Sequence, residues 1–200
     1  KVMREKKTSY KIITQPASEP LTLEYVKNFL KLDGISADDT LVEALLTAAR
    51  QRCEEYCNIK FIDTVIEQVY DEFPKGRTLE NCLHLTVGNV SSVEFVKYYD
   101  ESGTLQTWSD TSYDVDTYDK AGRICVTTGE SYPSSDTDRI NNVVVRYVSG
   151  FGVNGTDVPD AIKHAILLQV GYMYNNREDK VKGLSTLSEY LMQPYKTNFI

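Results

Sequence analysis

The stretch VVVRYVSGFGVNGTDVPDAIKHAILL, residues 143–168, decides the fold, because its pattern changes from strand to helix. Residues 143–148 are almost all β-branched or aromatic, which favours a strand. The glycine-rich residues 150–155 favour a turn, and Pro159 beside Asp160 favours the first turn of a helix. This stretch therefore predicts the end of a β region and the beginning of a helical one.

Helical periodicity also precedes the β region. An N-cap at Thr22 predicts a short helix that Asp33-Gly34 ends. Residues 36–39 resemble a capping box, and the apolar spacing behind them predicts a longer helix down to Asn58.

Two further helices are predicted after the β region. The first begins at residues 157–160 and has a wide apolar stripe, which indicates that it packs against more than one neighbour. The second covers about Leu184 to Met192, has Leu187, Tyr190 and Leu191 on one side, and ends before Pro194.

Between the two helical parts, residues 64–148 are rich in short strand-like runs. Val90 to Tyr99 and Leu105 to Trp108 flank the polar residues 100–104, which predicts a β-hairpin. Six or seven short strands are expected, as an antiparallel meander or a small sandwich.

The order of these elements predicts an α+β fold with two structural parts. The N- and C-terminal helices, residues 21–62 and 157–200, are expected to form one helical bundle. Residues 63–156 form an inserted antiparallel β domain, and residues 1–20 form an N-terminal arm.

Charge limits the classes of partner. The chain of 200 residues has a formal net charge of −7 and a pI near 4.9, which argues against binding nucleic acid by broad phosphate neutralisation. Its apolar runs are too short to span a membrane, so no membrane partner is expected. The N-terminal arm is basic and is interpreted either as a solvated segment or as a contact for an acidic partner; its cations are Lys1, Arg4, Lys6, Lys7 and Lys11.

The four cysteines, Cys53, Cys57, Cys82 and Cys125, are sparse and irregularly spaced. This spacing is typical of reduced thiols, and the chain is expected to fold without disulfides or metals. Cys53 and Cys57 are one helical turn apart, which favours core packing over a pair of zinc ligands.

Catalytic motifs are absent from the sequence. The two histidines, His84 in a predicted strand and His164 on a predicted helix, have no motif around them. We therefore expect no catalytic residue, no cofactor and no metal, and predict that the protein is not an enzyme.

One match to a nucleotide-binding motif has to be weighed. Gly150, Gly152 and Gly155 fit G-x-G-x-x-G after a strand, and Glu178 follows at about the expected distance. The next helix begins too late to hold a pyrophosphate at these glycines, and no strand follows it. A strand-to-helix turn is the preferred interpretation, with a nucleotide-binding enzyme as a distant alternative.

Two other clusters have alternative interpretations. Asp114, Asp116 and Asp119 favour a solvated edge strand over a cation site, because they lack the spacing of a calcium loop. The C-terminal aromatic residues are interpreted equally as core or as interface; they are Tyr172, Tyr174, Tyr190, Tyr195 and Phe199.

The order and spacing of several motifs resemble the head-tail connector (adaptor) proteins of tailed bacteriophages, in the longer form with a β insertion. The resemblance covers about Pro16 to Glu178, with Lys60 where arginine is usual. The matching motifs are Pro20-Leu21-Thr22-Leu23, Ala48-Ala49-Arg50, Glu54 to Asn58, Lys60-Phe61-Ile62, Tyr113 to Asp116, Gly122-Arg123-Ile124, Val144 to Gly152, Val158-Pro159 and Asn176-Arg177-Glu178.

This resemblance implies a structural virion protein of the neck, made in the host cytoplasm. Its subunits form a homo-oligomeric ring, usually a dodecamer, below the portal protein, and the genome DNA passes through without specific binding. The next neck or tail component, a stopper or a tail terminator, binds on the other side. A head-completion stopper or a tail-terminator ring protein is the alternative function.

The resemblance also assigns roles to parts of the chain. The β region is expected to pack the ring and to meet the next tail component. The C-terminal segment is expected to be mobile alone and to become ordered when it docks on the portal. Its candidate contact residues are Leu184, Leu187, Tyr190, Leu191, Tyr195, Phe199 and Ile200.

Overall fold

The structure is a computed structural model that describes residues 8–76, 81–177 and 183–197. These residues divide into two compact units. The β unit comprises residues 8–15 and 64–150, and the helical unit comprises residues 16–63 and 151–197. The predicted α+β class is confirmed. No described helix has the length and apolar character needed to span a membrane.

The β unit contains two antiparallel sheets. A five-stranded sheet has the order β1-β2-β8-β4-β5, and a three-stranded sheet has the order β3-β7-β6. The last strand, β8, lies in the centre of the larger sheet, so the architecture is not a simple meander. The strands are β1 Thr8–Thr14, β2 Thr64–Tyr70, β3 Leu83–His84, β4 Val90–Tyr99, β5 Leu105–Thr107, β6 Tyr113–Asp116, β7 Arg123–Val126 and β8 Val143–Ser149.

The two sheets share one hydrophobic core. Every second residue of β8 is buried, as expected for a strand with one face on a core, and Tyr147 is among these residues. Ile66 of β2 and Ile124 of β7 belong to the same cluster of buried side chains. Trp108, which follows β5, packs in this core against the ring of Phe73, with 5.4 Å between the ring centroids.

The predicted hairpin is confirmed, with Tyr99 opposite Leu105. Asp100 organises its turn by accepting hydrogen bonds from the backbone N–H groups of Ser102 at 2.9 Å and Thr104 at 3.0 Å. Hydrogen bonds from the Ser102 and Gln106 side chains and from these N–H groups lower the pKa of Asp100 to about 2. The turn therefore keeps its carboxylate charged well into acid.

The prediction of an N-terminal arm over residues 1–20 is wrong for residues 8–14. They form β1, which pairs with β2 from Thr8 opposite Tyr70 to Ile12 opposite Ile66. Almost all of its side chains are exposed, so the strand has no clear apolar alternation. It pairs with β2 through its backbone and through the Lys11–Glu67 ion pair, and the residue pattern of β1 alone does not reveal either contact. Lys1, Arg4, Lys6 and Lys7 lie outside the described residues.

The prediction of four reduced thiols is wrong for two of them. Cys82 and Cys125 form a disulfide, with their Cα atoms 4.6 Å apart. They flank the paired residues Leu83 and Ile124, so the register of β3 and β7 brings together two positions 43 residues apart. Cys53 is a buried free thiol, as the interpretation of core packing predicts, and burial raises its pKa to about 12.

The helical unit is built from four helices, α1 Leu23–Leu30, α2 Asp39–Cys57, α3 Asp160–Asn175 and α4 Thr186–Met192. Helix α3 contacts each of the other three. This agrees with the wide apolar stripe that the sequence predicts for it. The shared core includes Val26, Leu46, Ile166 and Met192, all almost fully buried.

Most of the predicted helix ends are found. The Thr22 side chain accepts a hydrogen bond from the Tyr25 N–H, and α2 ends at Asn58 in the left-handed conformation. Two details differ. Helix α1 ends earlier, at Lys31, which is also left-handed. The predicted capping box does not form, because Asp38 makes no side-chain cap and instead accepts hydrogen bonds from Tyr174 and Arg177 of α3 and its C-terminal end.

A buried ionic network ties α2 to the segments on either side of it. The Glu54 carboxylate accepts from Arg50 at 3.0 Å, from Lys60 at 3.1 Å and from the Phe61 N–H at 3.1 Å. Arg50 also donates to Glu19 at 2.7 Å. Burial disfavours the Arg50 charge, but Glu54 and Glu19 outweigh it and raise the pKa of Arg50. The family that this chain resembles usually has arginine at the position of Lys60. Lys60 is also a cation, and it forms an ion pair with Glu54.

Replacing the buried carboxylate should strongly destabilise the helical unit. We expect Glu54→Gln to lower the free energy of unfolding by about 3–5 kcal/mol, since it leaves buried cations without their counter-charge. Urea denaturation followed by helical circular dichroism measures this change. Glu55→Gln is the matched control: Glu55 is exposed and has only a 3.5 Å pair with Arg52, so its loss should change stability by less than about 1 kcal/mol. Equal effects of both variants would contradict the role of the network.

Reduction should destabilise the β unit. Breaking Cys82–Cys125 frees a loop of 43 residues, for which we expect a loss of about 2–4 kcal/mol. The test compares thermal unfolding with and without reductant, for the natural chain and for the variant with Cys82→Ser and Cys125→Ser. Without reductant, the double variant should have a lower melting temperature than the natural chain. Reductant should not change the melting temperature of the double variant. A natural chain equally insensitive to reductant would contradict the prediction.

Candidate assembly surfaces

The structure separates the predicted portal-contact residues into two groups. Leu187 is 52% exposed and Tyr190 is 77% exposed, so both are available to a partner. Leu184 is only 8% exposed, and Leu191 and Tyr195 pack against the helical core. Phe199 and Ile200 lie outside the described residues. The sequence pattern could not separate these groups, because α4 is short and has apolar residues on more than one side.

The described part of this C-terminal segment is attached to α2 and α3. The buried Gln169 accepts from the Ser185 N–H at 3.0 Å, and Ser188 donates to the carbonyl of Ala165 at 3.0 Å. Further along, the Thr197 N–H donates to the carbonyl of Cys57 at 2.9 Å. These contacts attach the described part of the segment to the helical core, and the expectation that the segment is mobile alone stays a prediction.

An exposed apolar groove lies where α1, α3 and α4 meet. Phe29, Tyr172 and Leu187 line it, and its volume is about 570 Å³. A Cβ atom at Gly171 would come within 3.1 Å of the Phe29 ring, so the glycine lets α1 approach α3 closely. Phe29 of α1 is 41% exposed. Clustered exposed aromatic side chains are typical of protein interfaces.

A second groove, between α2 and α3, has an apolar floor and a basic rim. Leu45 and Met173 form part of the floor, Arg52 and Arg177 are on the rim, and the volume is about 520 Å³. Arg177 is held by the Asp38 carboxylate at 3.1 Å. Hydrogen bonds from Tyr174 and Arg177 lower the pKa of Asp38, so the Asp38 carboxylate that pairs with Arg177 stays charged at neutral pH.

One face of the five-stranded sheet carries a row of charged side chains on β1, β2 and β8 that ends at an aromatic ring on β4. Glu67 of β2 accepts from Lys11 of β1 at 2.8 Å and from Arg146 of β8 at 2.7 Å. The Arg146 guanidinium lies 4.8 Å from the centre of the Phe95 ring in β4. Burial favours a neutral Glu67, but the two cations outweigh it and lower the pKa of this carboxyl group. This row links neighbouring strands on one face of the sheet.

The glycine motif lacks the geometry of a dinucleotide site. Strand β8, which precedes it, pairs antiparallel with both neighbours, and α3 begins only at Asp160. A Cβ atom at Gly152 would lie 2.4 Å from Asp157 Oδ2, so a carboxylate occupies the space beside this glycine. The same carboxylate accepts from the Asn154 N–H at 3.0 Å. A negative charge at this point opposes phosphate binding.

The other candidate chemical groups are dispersed. His84 is exposed in β3, and His164 is exposed on α3. Asp116 is paired with Arg123 at 2.8 Å. Within the described residues, no group of three or more His, Cys, Asp or Glu side chains is arranged to hold a metal ion.

The fold is similar to those of chains in solved gene transfer agent particles. One, from the neck of an empty particle computed with C6 symmetry, matches with a TM-score of 0.77 and 16% identity over 96% of this chain and 97% of that one. A chain from the virion of a native particle matches with a TM-score of 0.74 and 17% identity over 96% of both chains. A chain from the neck of a native particle, computed with C12 symmetry, has a TM-score of 0.65 and 15% identity over 95% of this chain and 97% of that one.

No curated protein sequence matches the chain significantly. The model of the family described as head completion protein matches residues 19–186, which include the whole of α1, α2 and α3 and most of the β unit. This match agrees with the resemblance to phage head-tail connectors that the sequence motifs carry. The chain belongs to the head completion protein family.

Proposed function

We propose that the protein is a portal adaptor, a structural subunit of the virion neck. Copies form a ring below the portal, usually of twelve, and the genome passes through it. The family match over residues 19–186 supports a structural role in the virion neck, and the resemblance of the sequence motifs to head-tail connectors favours the adaptor within that role. The similarity of fold, along almost the whole chain, to proteins of gene transfer agent necks supports it.

The charge of the chain suits a conduit for DNA. A net charge of −7 repels a polyanion instead of binding it, so the genome can move without being held. In this proposal the protein is not an enzyme and has no cofactor. Its selected features are contacts between subunits and with neighbouring rings.

A head-completion stopper is the second candidate, and the description of the family favours it. A stopper and an adaptor differ in their binding partner, because a stopper binds another neck ring and not the portal. A tail-terminator ring differs from the adaptor in the same way. Portal binding therefore separates these functions.

Within the adaptor proposal, the helical unit, as the predicted bundle, carries the portal contact and the β unit meets the next neck component. Leu187 and Tyr190 are the best placed of the predicted contact residues, since they are exposed on α4. The neighbouring Phe29 and Tyr172 extend this apolar surface. Large aromatic side chains bury much area at little entropic cost, which suits them to this role.

Solution mass tests the adaptor function. Light scattering of the purified protein, alone and mixed with the portal ring of the same phage, should give either a ring-sized mass or a monomer that joins the portal in several copies. A monomer that ignores the portal but joins another neck ring would transfer the assignment to the stopper or tail terminator.

Polar substitution on α4 should weaken portal binding without unfolding the protein. We expect the variant with Leu187→Ser and Tyr190→Ser to bind the portal at least about tenfold more weakly, because interface aromatics dominate binding energy. Tyr25→Ser is the matched control, since Tyr25 is also an exposed aromatic of the helical unit. Circular dichroism should show native helix content in both variants. Unchanged binding of the double variant would remove α4 from the portal contact.

A further inference from the structure

The disulfide of the β unit reinforces the shortest ladder between the described strands. Strand β3 pairs only with β7 among these strands, and the ladder has two residue pairs. Cys82 and Cys125 are the next positions outward from the pair Leu83–Ile124, so the antiparallel register places them directly opposite each other. Their Cα atoms are 4.6 Å apart, the usual separation of an opposed pair that exchanges no backbone hydrogen bonds. The strand register by itself therefore places the two sulfur atoms within bonding reach.

Noncovalent contacts hold β3 in this register independently of the disulfide. Leu83, Leu85 and Ile124 are almost fully buried in the core of the β unit. The Leu85 N–H donates to the carbonyl of Gly122 at 2.8 Å. The carbonyl of His84 accepts two side-chain hydrogen bonds from β2, at 2.9 Å and 2.7 Å. The reduced chain is therefore expected to adopt the same fold with lower stability.

The other two cysteines do not compete for this pairing. All four cysteines of the chain are described, and Cys53 and Cys57 are free thiols in the buried core of the helical unit. Burial raises the pKa of Cys53 to about 12, so its reactive thiolate form is scarce at neutral pH. Cys125 is partly exposed, whereas Cys82 is only 6% exposed. Oxidation by a small disulfide should therefore begin at Cys125 and lead to one cross-link.

A virion subunit meets two redox environments. The host cytoplasm, in which such a chain is made, keeps thiols reduced, so structural disulfides are rare there. Disulfides form and persist outside the cell and on virion surfaces. In the proposed function, the neck is assembled in the first environment and the released particle is exposed to the second.

We propose that Cys82–Cys125 is a redox-dependent cross-link that forms after the neck has assembled. The dithiol chain folds and joins the ring, and oxidation then fixes β3 to β7 in the released particle. The cross-link restricts the loop between two cysteines that are 43 residues apart, so the β unit opens less often. This inference rests on the proposed virion function and adds a maturation step to it.

The oxidation is a thiol–disulfide exchange with a small external disulfide such as oxidised glutathione. The Cys125 thiol releases its proton to solvent, and the thiolate attacks one sulfur of oxidised glutathione. The S–S bond of glutathione breaks, and one glutathione leaves as a thiolate. The Cys82 thiol is deprotonated in the same way, attacks the Cys125 sulfur of the mixed disulfide and displaces the second glutathione. The chain thus loses two protons and two electrons, and one oxidised glutathione becomes two reduced molecules.

The thiol state of the chain in its own particles tests this order of events. Cells are opened in buffer that contains N-ethylmaleimide, which blocks thiols before air can oxidise them. Assembled particles from these cells, and particles released into the medium, are purified and denatured in the same reagent. Mass spectrometry should find four alkylated cysteines per chain in the intracellular particles. Released particles should have two, Cys53 and Cys57.

Hydrogen exchange measures the effect of the cross-link on the ring. The ring is assembled on its portal from chain kept in reductant, and half of the sample is then treated with oxidised glutathione. Amides of β7 should exchange at least about tenfold more slowly after this treatment, and amides of α2 should not change. Equal exchange in both halves, or a reduced chain that joins the ring only after oxidation, would overturn the inference.

Two variants are controls for the hydrogen-exchange measurement. The variant with Cys82→Ala and Cys125→Ala should exchange like the reduced ring before and after treatment with oxidised glutathione. Cys53→Ala removes a thiol of the helical unit, and its β7 amides should respond to the treatment like those of the natural chain. The comparison of the natural chain in its two redox states needs neither variant to fold.

The outcomes separate this inference from the proposed function. If the chain is absent from purified particles, the virion function fails. If the chain is present but is already cross-linked inside the cell, or still has four thiols in released particles, the function stands and the late cross-link is wrong. If both redox forms ignore the portal, only the adaptor assignment fails, because the thiol count in particles does not depend on the portal.

Discussion

The helical unit depends on the charge of one buried carboxylate, Glu54. Its two oxygens accept from Arg50, Lys60 and the Phe61 N–H, and Arg50 connects it to Glu19. A buried carboxylate with fewer partners would be costly, because desolvation of a charge exceeds what a single ion pair returns. The network therefore holds α2, the segment before α1 and the segment after α2 in one arrangement.

In the same region, the segments at which the chain enters or leaves the helical unit are hydrogen-bonded to one another. The passages are at residues 15/16, 63/64 and 150/151. In the helical unit, Ser18 donates to the carbonyl of Val153 at 3.1 Å, and the Phe151 N–H donates to the carbonyl of Phe61 at 3.1 Å. The Asp63 N–H donates to the carbonyl of Gly152 at 2.9 Å. Three segments that are distant in sequence are thus fastened to one another beside the Glu54 network.

The sequence predicts those features that depend on local periodicity and caps. Helix α2 ends at Asn58, α1 begins after Thr22, and the turn at Asp100 closes a hairpin, because each has a strong local signal. Strand β1 and the Cys82–Cys125 disulfide were not predictable in this way. Both depend on register between segments that are far apart in the chain. The division of the C-terminal residues into buried Leu184 and exposed Tyr190 likewise depends on tertiary packing.

The position of β1 has a consequence for synthesis of the chain on the ribosome. This strand is made before its partner β2, which follows about fifty residues later, and the central strand β8 is made only after β7. Helices α1 and α2 likewise lack a complete core until α3 and α4, which contribute to it, have been synthesised. The β unit cannot finish folding before β8 is made, and the helical unit cannot finish before α4 is made, because non-local contacts form only when both segments exist. A chain interrupted between β8 and α4 can therefore complete its β unit but lacks the finished helical surfaces for assembly.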